Sequence, residues 1–220
     1  MKISEIAELL TYLSPIILFL SVYIGAYFFK HLDFTHRVLF FYLSINLIID
    51  LLSRFLESIS HNNLFLLLVI SILEIVSFSL LYNHLINKKK IIRLLFFVGI
   101  GYISYEFYFV DFQNTTTLQL YSKVVVSFLI VTMVIVYFTE VLYRENKIVK
   151  PLINLNVLIM SYFTLEIILL LPLNFLINSA PKSIFYIWSL RIIILVLFYL
   201  ILTFFLWNHG KNRKLSLYGS

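Results

Sequence analysis

The chain contains 220 residues, of which 61% are hydrophobic and 13% are charged. A water-soluble domain carries about 25% charged and about 45–50% apolar residues, so this composition excludes a soluble globule and predicts a chain that faces lipid. The absence of cysteine excludes disulfides and thiolate chemistry. The net charge of +6 does not indicate nucleic-acid binding, because the basic residues lie near the ends of the apolar runs.

Seven apolar runs follow one another along the chain, and each is long enough to span a bilayer. About 20 helical residues cover the ~30 Å hydrocarbon core. The predicted transmembrane helices are 9–29, 38–59, 64–86, 91–109, 118–142, 152–177 and 184–207. The first run follows Glu5 and Glu8 and is too long for a cleaved signal peptide, so it is predicted to be retained. We therefore predict an all-α, polytopic membrane protein with one seven-helix domain over residues 1–220.

Basic residues alternate between the connections, which predicts the orientation of the chain, since Lys and Arg accumulate on the cytoplasmic side. The basic clusters are Lys30 and Arg37; Lys88, Lys89, Lys90 and Arg93; Arg144, Lys147 and Lys150; and Lys211, Arg213 and Lys214. The intervening segments carry only Lys2 and Lys182. This bias predicts an N-terminus outside and a C-terminus inside, in a cell inner membrane or plasma membrane.

A weak internal repeat accompanies the seven runs. An offset of 120 residues places Tyr42 on Tyr162 and Phe78 on Phe198. This match favours a 3+1+3 arrangement, in which helices 1–3 and 5–7 are repeats joined by helix 4. Ligand sites in membrane proteins often lie at such a repeat interface, near the bilayer midplane.

Ionisable residues inside the predicted helices are the strongest functional signal, because each costs about 2.5–3.5 kcal/mol at a helix centre. Asp50, Arg54 and Glu57 share one face of the second helix. The other helices contribute Glu74, Glu106, Lys123, Glu166 and Arg191. From the rise per residue, Asp50 lies ~18 Å from the cytoplasmic edge and Glu74 ~15 Å below the outer edge. These charges are therefore expected to face the helix bundle interior in its outer half.

We predict a ligand-binding site built from a subset of these residues. The predicted site residues are Asp50, Arg54, Glu74, Glu166, Arg191 and Tyr105. Arg54 and Arg191 are expected to pair with carboxylates, Asp50 or Glu57 on the same helix as Arg54, and Glu74 or Glu166 across the bundle. Glu57, Glu106 and Lys123 could instead lie at the membrane interface with their charges in water. A purely structural ion-pair network is the alternative interpretation of the whole set.

The chain lacks the residues that several enzyme classes require. No His pair at helical spacing occurs inside a predicted helix, which disfavours a seven-helix zinc hydrolase. The last helix carries Arg191 but no lysine for a retinal Schiff base, and no phosphate-binding loop is present. A carboxylate-dependent intramembrane hydrolase, similar to lysoplasmalogenases, stays open as a minor alternative. We expect no catalytic residues, no metal, no other cofactor and no nucleic-acid partner.

The chain combines short basic connections with ionisable residues inside the predicted helices. In that pattern it resembles small bacterial seven-helix integral membrane proteins of unknown function, a resemblance that transfers no functional residues. We predict a receptor-like or sensor membrane protein that binds a small polar ligand in an outer-half pocket and acts through a partner protein. A secondary transporter of a small polar solute is the alternative. The receptor is favoured because the deep charges stop near the midplane.

The predicted orientation can be tested with single cysteines, since the chain has none of its own. Thr116→Cys lies in a predicted external connection and Lys89→Cys in a predicted internal one. A membrane-impermeant thiol reagent should label only Thr116→Cys on intact cells, and both variants after permeabilisation. Labelling of Lys89→Cys on intact cells would contradict the orientation.

Overall fold

A computed structural model describes residues 3–60, 65–109, 121–143, 150–176 and 181–218. Within these ranges the chain forms seven α-helices, with one turn of 3-10 helix at Phe29–His31. They are α1 (Ile3–Phe28), α2 (Phe34–Ser60), α3 (Phe65–Leu85), α4 (Lys89–Phe109), α5 (Ser122–Tyr143), α6 (Lys150–Leu176) and α7 (Pro181–Tyr218). Each is long and apolar enough to cross a membrane. The predicted all-α fold with seven spans is confirmed, whereas the orientation and the repeat stay predictions.

Several helix boundaries differ from the sequence prediction; α1, for example, begins at Ile3 rather than at 9. Helix α7 continues to Tyr218 and is 38 residues long, although the apolar run was expected to end at 207. The additional residues include Lys211, Arg213 and Lys214, and lysine and arginine are good helix formers outside an apolar run. Helix α5 begins at Ser122 rather than at 118, since Tyr121 precedes the helix. Residues 118–120, like Arg144 and Lys147, lie outside the described residues.

The chain divides into two compact units. The first comprises Met1–Ile59 with Ser189–Ser220, and the second comprises Ser60–Trp188. The first unit therefore contains α1, α2 and most of α7, and the second contains α3 to α6. This grouping differs from the 3+1+3 arrangement expected from the sequence repeat. The expected single seven-helix domain likewise stays a prediction.

In the first unit, apolar packing is supplemented by hydrogen bonds between helices. Buried side chains such as Leu18 on α1, Leu43 on α2 and Leu202 on α7 supply the apolar core. A hydrogen bond joins the hydroxyls of Ser21 and Thr203, linking α1 to α7. Tyr199 of α7 donates its hydroxyl to the side-chain oxygen of Asn46 on α2, at 3.2 Å. Such bonds contribute about 0.6–2 kcal/mol each between helices in lipid.

Gly210 sets how closely α7 approaches the end of α1. A Cβ atom at this position would lie 2.5 Å from the Cβ of Phe28, which is closer than any two such atoms approach. The Phe28 Cβ belongs to a packed helix and cannot rotate away. Only glycine therefore allows this approach, which also fixes the position of the neighbouring His209.

In the second unit, α5 is the central helix and packs against α3, α4 and α6. Its buried face includes Val126, Ile130 and Met133. Phe78 on α3 and Phe163 on α6 meet edge to face, with ring centroids 4.9 Å apart. This central position brings polar side chains of α5 within reach of both α3 and α6.

A pair of glycines on α4 shows how tightly this unit is packed. Gly99 is buried, and a Cβ there would lie 2.9 Å from Cγ1 of Ile75 and 3.1 Å from Cδ1 of Leu129. A Cβ at Gly101 would meet no atom within 4 Å. Gly99 thus permits close approach of α4 to α3 and α5, and Gly101 supplies a control on the same helix.

We expect Gly99→Leu to lower the melting temperature of the detergent-solubilised protein, because overpacking a filled interior costs about 1–3 kcal/mol. Gly101→Leu should leave the melting temperature unchanged or raise it, because leucine is the better helix former by about 1 kcal/mol. Thermal unfolding followed by circular dichroism measures both. Equal losses in the two variants would show that α4 does not pack through Gly99.

Candidate functional site

The most deeply buried charges of the second unit meet at one point, which we name the buried charge cluster: Glu74, Lys123 and Glu166. Their side chains are only 1%, 4% and 1% exposed. They come from three helices, α3, α5 and α6. Lys123 Nζ donates a hydrogen bond to Glu74 Oε1 and lies 3.7 Å from Glu166 Oε2. One ammonium group is thus shared by two carboxylates on different helices.

The burial of three charges makes the sharing of Lys123 between two carboxylates important for stability. Removing each ion from water costs several kcal/mol, which attraction within the low-dielectric interior must offset. Tyr162, one turn before Glu166 on α6, donates its hydroxyl to Glu166 Oε1 at 3.1 Å. Glu166 therefore accepts a hydrogen bond from the Tyr162 hydroxyl and lies near the Lys123 ammonium group, whereas Glu74 accepts a hydrogen bond directly from Lys123.

Glu106 fixes the start of the helix that carries Lys123. It is buried near the end of α4, and its carboxylate accepts the backbone N–H groups of Tyr121 and Ser122 at 2.6 and 2.7 Å. A carboxylate at a helix N-terminus satisfies otherwise unpaired N–H groups and complements the helix dipole. Because Lys123 follows Ser122 directly, Glu106 acts as a positioning residue for the buried charge cluster.

The first unit holds a separate ion pair on α2. Arg54 Nε donates to Asp50 Oδ2 at 3.2 Å, and its terminal nitrogen donates to the backbone oxygen of Thr11. The guanidinium also lies over the Tyr12 ring, 5.4 Å from the ring centroid. Glu57 is exposed. The predicted pairing of Arg54 is confirmed for Asp50, and the contacts of Arg54 join α2 to α1.

Two further predicted site residues lie elsewhere. Arg191 is buried on α7 in the first unit, so its expected pairing with Glu74 or Glu166 stays a prediction. Tyr105 is 60% exposed, and its ring contacts that of Phe109 on the same helix, at 4.6 Å between centroids. In the described part of the chain it is not brought to the buried charge cluster.

Lys123 is the residue whose importance the sequence did not reveal. A lysine near the start of an apolar run resembles one that extends to the membrane interface. The structure buries it because α5 begins only at Ser122 and lies between α3 and α6. Two acids in neighbouring helices, Glu74 and Glu166, were the available signal that a buried cation was needed.

We expect Lys123→Met to lower the melting temperature strongly, because it leaves two carboxylates without their shared cation, a cost of up to roughly 3–5 kcal/mol. Adding Glu74→Gln and Glu166→Gln should restore most of this loss, since no charge then remains in the cluster. Lys90→Met, on the exposed start of α4, is the matched control and should change little. A triple variant as unstable as Lys123→Met alone would show that charge pairing does not stabilise the cluster.

The predicted resemblance to small bacterial seven-helix membrane proteins stays a prediction. The buried charge cluster and the Asp50 pair are the features with which a functional proposal must agree. No family model matches the chain, and no match is found among curated proteins or among solved structures.

Proposed function

We propose that the chain is a receptor-like, multi-pass membrane protein in which the buried charge cluster senses a small polar ligand. The observation that supports this proposal is the sharing of Lys123 between Glu74 and Glu166. In this proposal Lys123 can bond most closely to either acid, so the cluster has two arrangements. A ligand that prefers one arrangement shifts the population towards it.

The chemistry of the cluster favours a zwitterionic ligand. An ammonium group on the ligand replaces Lys123 at one carboxylate, and a ligand carboxylate then pairs with the released Lys123. Every buried charge keeps a partner in this exchange, which avoids the large cost of an unpaired ion. Because Glu74, Lys123 and Glu166 lie on α3, α5 and α6, the exchange alters the packing of three helices and so carries a signal along them.

The proposal includes an orientation and a partner. With the N-terminus outside, the cluster lies in the outer half of the membrane and is reached from outside the cell. Helix α7 ends in an exposed basic segment that includes Lys211 and Arg213, on the side that would then be cytoplasmic. We propose that a partner protein reads the helix movement there.

A secondary transporter is the second candidate, and Glu166 provides a specific reason for it. This carboxylate lies near both Lys123 and the Tyr162 hydroxyl, so it can exchange a proton for the ammonium group. Such an exchange couples proton binding to solute binding in a transporter. The two candidates share one site and differ in whether that site opens to both sides.

Ligand binding can be tested by thermal unfolding of the purified protein with a panel of amino acids, primary amines and small carboxylates. A zwitterionic amino acid should raise the melting temperature, since a ligand at 100 times its Kd stabilises by about 2.7 kcal/mol. Glu74→Gln and Glu166→Gln should abolish the rise, and Glu57→Gln, at an exposed acid, should retain it. A rise that persists in both cluster variants would disprove binding at the cluster.

The sensor and the transporter are separated by proton flux into proteoliposomes, followed with an entrapped pH dye. For each amino acid that binds, we expect no flux driven by its addition. Flux that occurs in the wild type and disappears in Glu166→Gln would reject the sensor and establish the transporter. Binding without flux would support the sensor.

A further inference from the structure

Three potential metal ligands meet in the first unit: Asp33 and His36, which are three residues apart, and His209, which is distant in the sequence. Asp33 directly precedes α2, His36 lies in its first turn, and His209 is on α7. Their nearest nitrogen and oxygen ligand atoms all lie within 4.8 Å of one another. His36 is buried, and Asp33 and His209 are partly buried.

Asp33 uses its two carboxylate oxygens differently. Oδ1 accepts the backbone N–H of His36 at 2.9 Å and lies 2.6 Å from Nδ1 of the same residue. This bond caps the N-terminus of α2. Oδ2 lies 3.7 Å from Nε2 of His209. One oxygen therefore serves the helix cap, while the other faces the imidazole of a different helix.

Asp33 is ionised under ordinary conditions. Its partial burial alone would raise the pKa, but hydrogen bonds from the His36 ring and backbone, with attraction to both histidines, outweigh burial and hold the pKa well below its usual range. A carboxylate binds a metal ion in its deprotonated form, which is the ordinary state of an aspartate near neutral pH.

His209 supplies an observation that the helix cap does not explain. Its Nε2 is buried and has no hydrogen-bond partner among the described residues. A buried polar atom without a partner costs about 1–3 kcal/mol, so each such atom calls for a reason. This nitrogen lies 3.7 Å from Asp33 Oδ2, and the His209 ring stacks on that of His36. The nitrogen of a neutral imidazole is a common metal ligand.

We propose that Asp33, His36 and His209 form a binding site for a divalent transition-metal ion of the Zn²⁺ type. Two imidazole nitrogens and one carboxylate oxygen are a common ligand set for zinc, with further positions left for water. In a tetrahedral site with bonds of about 2.0–2.2 Å, ligand atoms lie about 3.3 Å apart. The ligand atoms of the three residues lie within 4.8 Å of one another, so they must draw closer together around the ion.

One rearrangement accompanies binding. The His36 and His209 rings are stacked, with centroids 3.7 Å apart and planes at 15°. Both rings must hold a shared ion in their own planes, so they rotate out of the stack as the metal binds. The close contact of Gly210 with Phe28 holds α7 beside the end of α1, next to His209.

The site would join the start of α2 to the C-terminal part of α7 by ligand bonds. It is independent of the buried charge cluster, all of whose residues belong to the second unit. A metal at this position stabilises the first unit directly, because binding to the folded state alone adds to its stability. With the proposed orientation, the site is on the cytoplasmic side.

The test is metal titration of the chelator-treated full chain, with Zn²⁺ binding measured by calorimetry and Co²⁺ binding by its visible absorption. We expect one equivalent of each ion and a rise in melting temperature. His36→Ala and His209→Ala should each weaken binding at least about tenfold. Mutation of a residue that only supports a ligand already weakens metal binding about 10–100-fold, and loss of the ligand itself should cost at least as much. His84→Ala, at an exposed histidine on α3, is the matched control and should bind as the wild type.

Asp33→Asn separates the metal ligand from the helix cap. Asparagine caps helices as well as aspartate does, so the variant should still unfold cooperatively without metal, at a somewhat lower temperature because it loses the attraction to the histidines, yet bind Zn²⁺ at least about tenfold more weakly. The proposal is overturned if the wild type binds no stoichiometric metal. It is also overturned if Asp33→Asn and His209→Ala both bind with wild-type affinity.

Discussion

The burial of an ammonium group between two carboxylates is the constraint on which the second unit depends. Glu74, Lys123 and Glu166 are each almost fully buried, and no apolar packing could offset three separated charges in that interior. The three helices that carry them must therefore be placed together. The central position of α5, its start at Ser122 and the capping by Glu106 all serve that placement.

The first unit uses polar groups in another way. Asp50 and Arg54 form a partly exposed pair on one helix, and Ser21, Thr203 and Tyr199 make neutral hydrogen bonds between helices. Neutral bonds require no balance of charge, so single members can be lost at a modest cost. Arg191, which is buried on α7, is a further charge of the first unit.

The sequence predicts the seven helices well because the span of a bilayer fixes the length of an apolar run. It also predicts the burial of Glu74 and Glu166, since ionised groups avoid lipid, and the Asp50 pairing, since residues four apart share a helix face. The burial of Lys123 was not predicted, because it depends on where α5 begins. The meeting of His36 with His209 is a tertiary contact between distant residues, and no spacing within one helix could reveal it.

The capping of α5 by Glu106 has a consequence for the chain that joins α4 to α5. Because one carboxylate ties Tyr121 and Ser122 to the end of α4, the two ends of the connecting segment are held regardless of its length. The entropy of closing a longer loop grows only slowly, by about 0.6 kcal/mol for each doubling. An epitope tag or a small reporter domain inserted between Phe109 and Tyr121 should therefore leave the geometry of the α4–α5 pair unchanged.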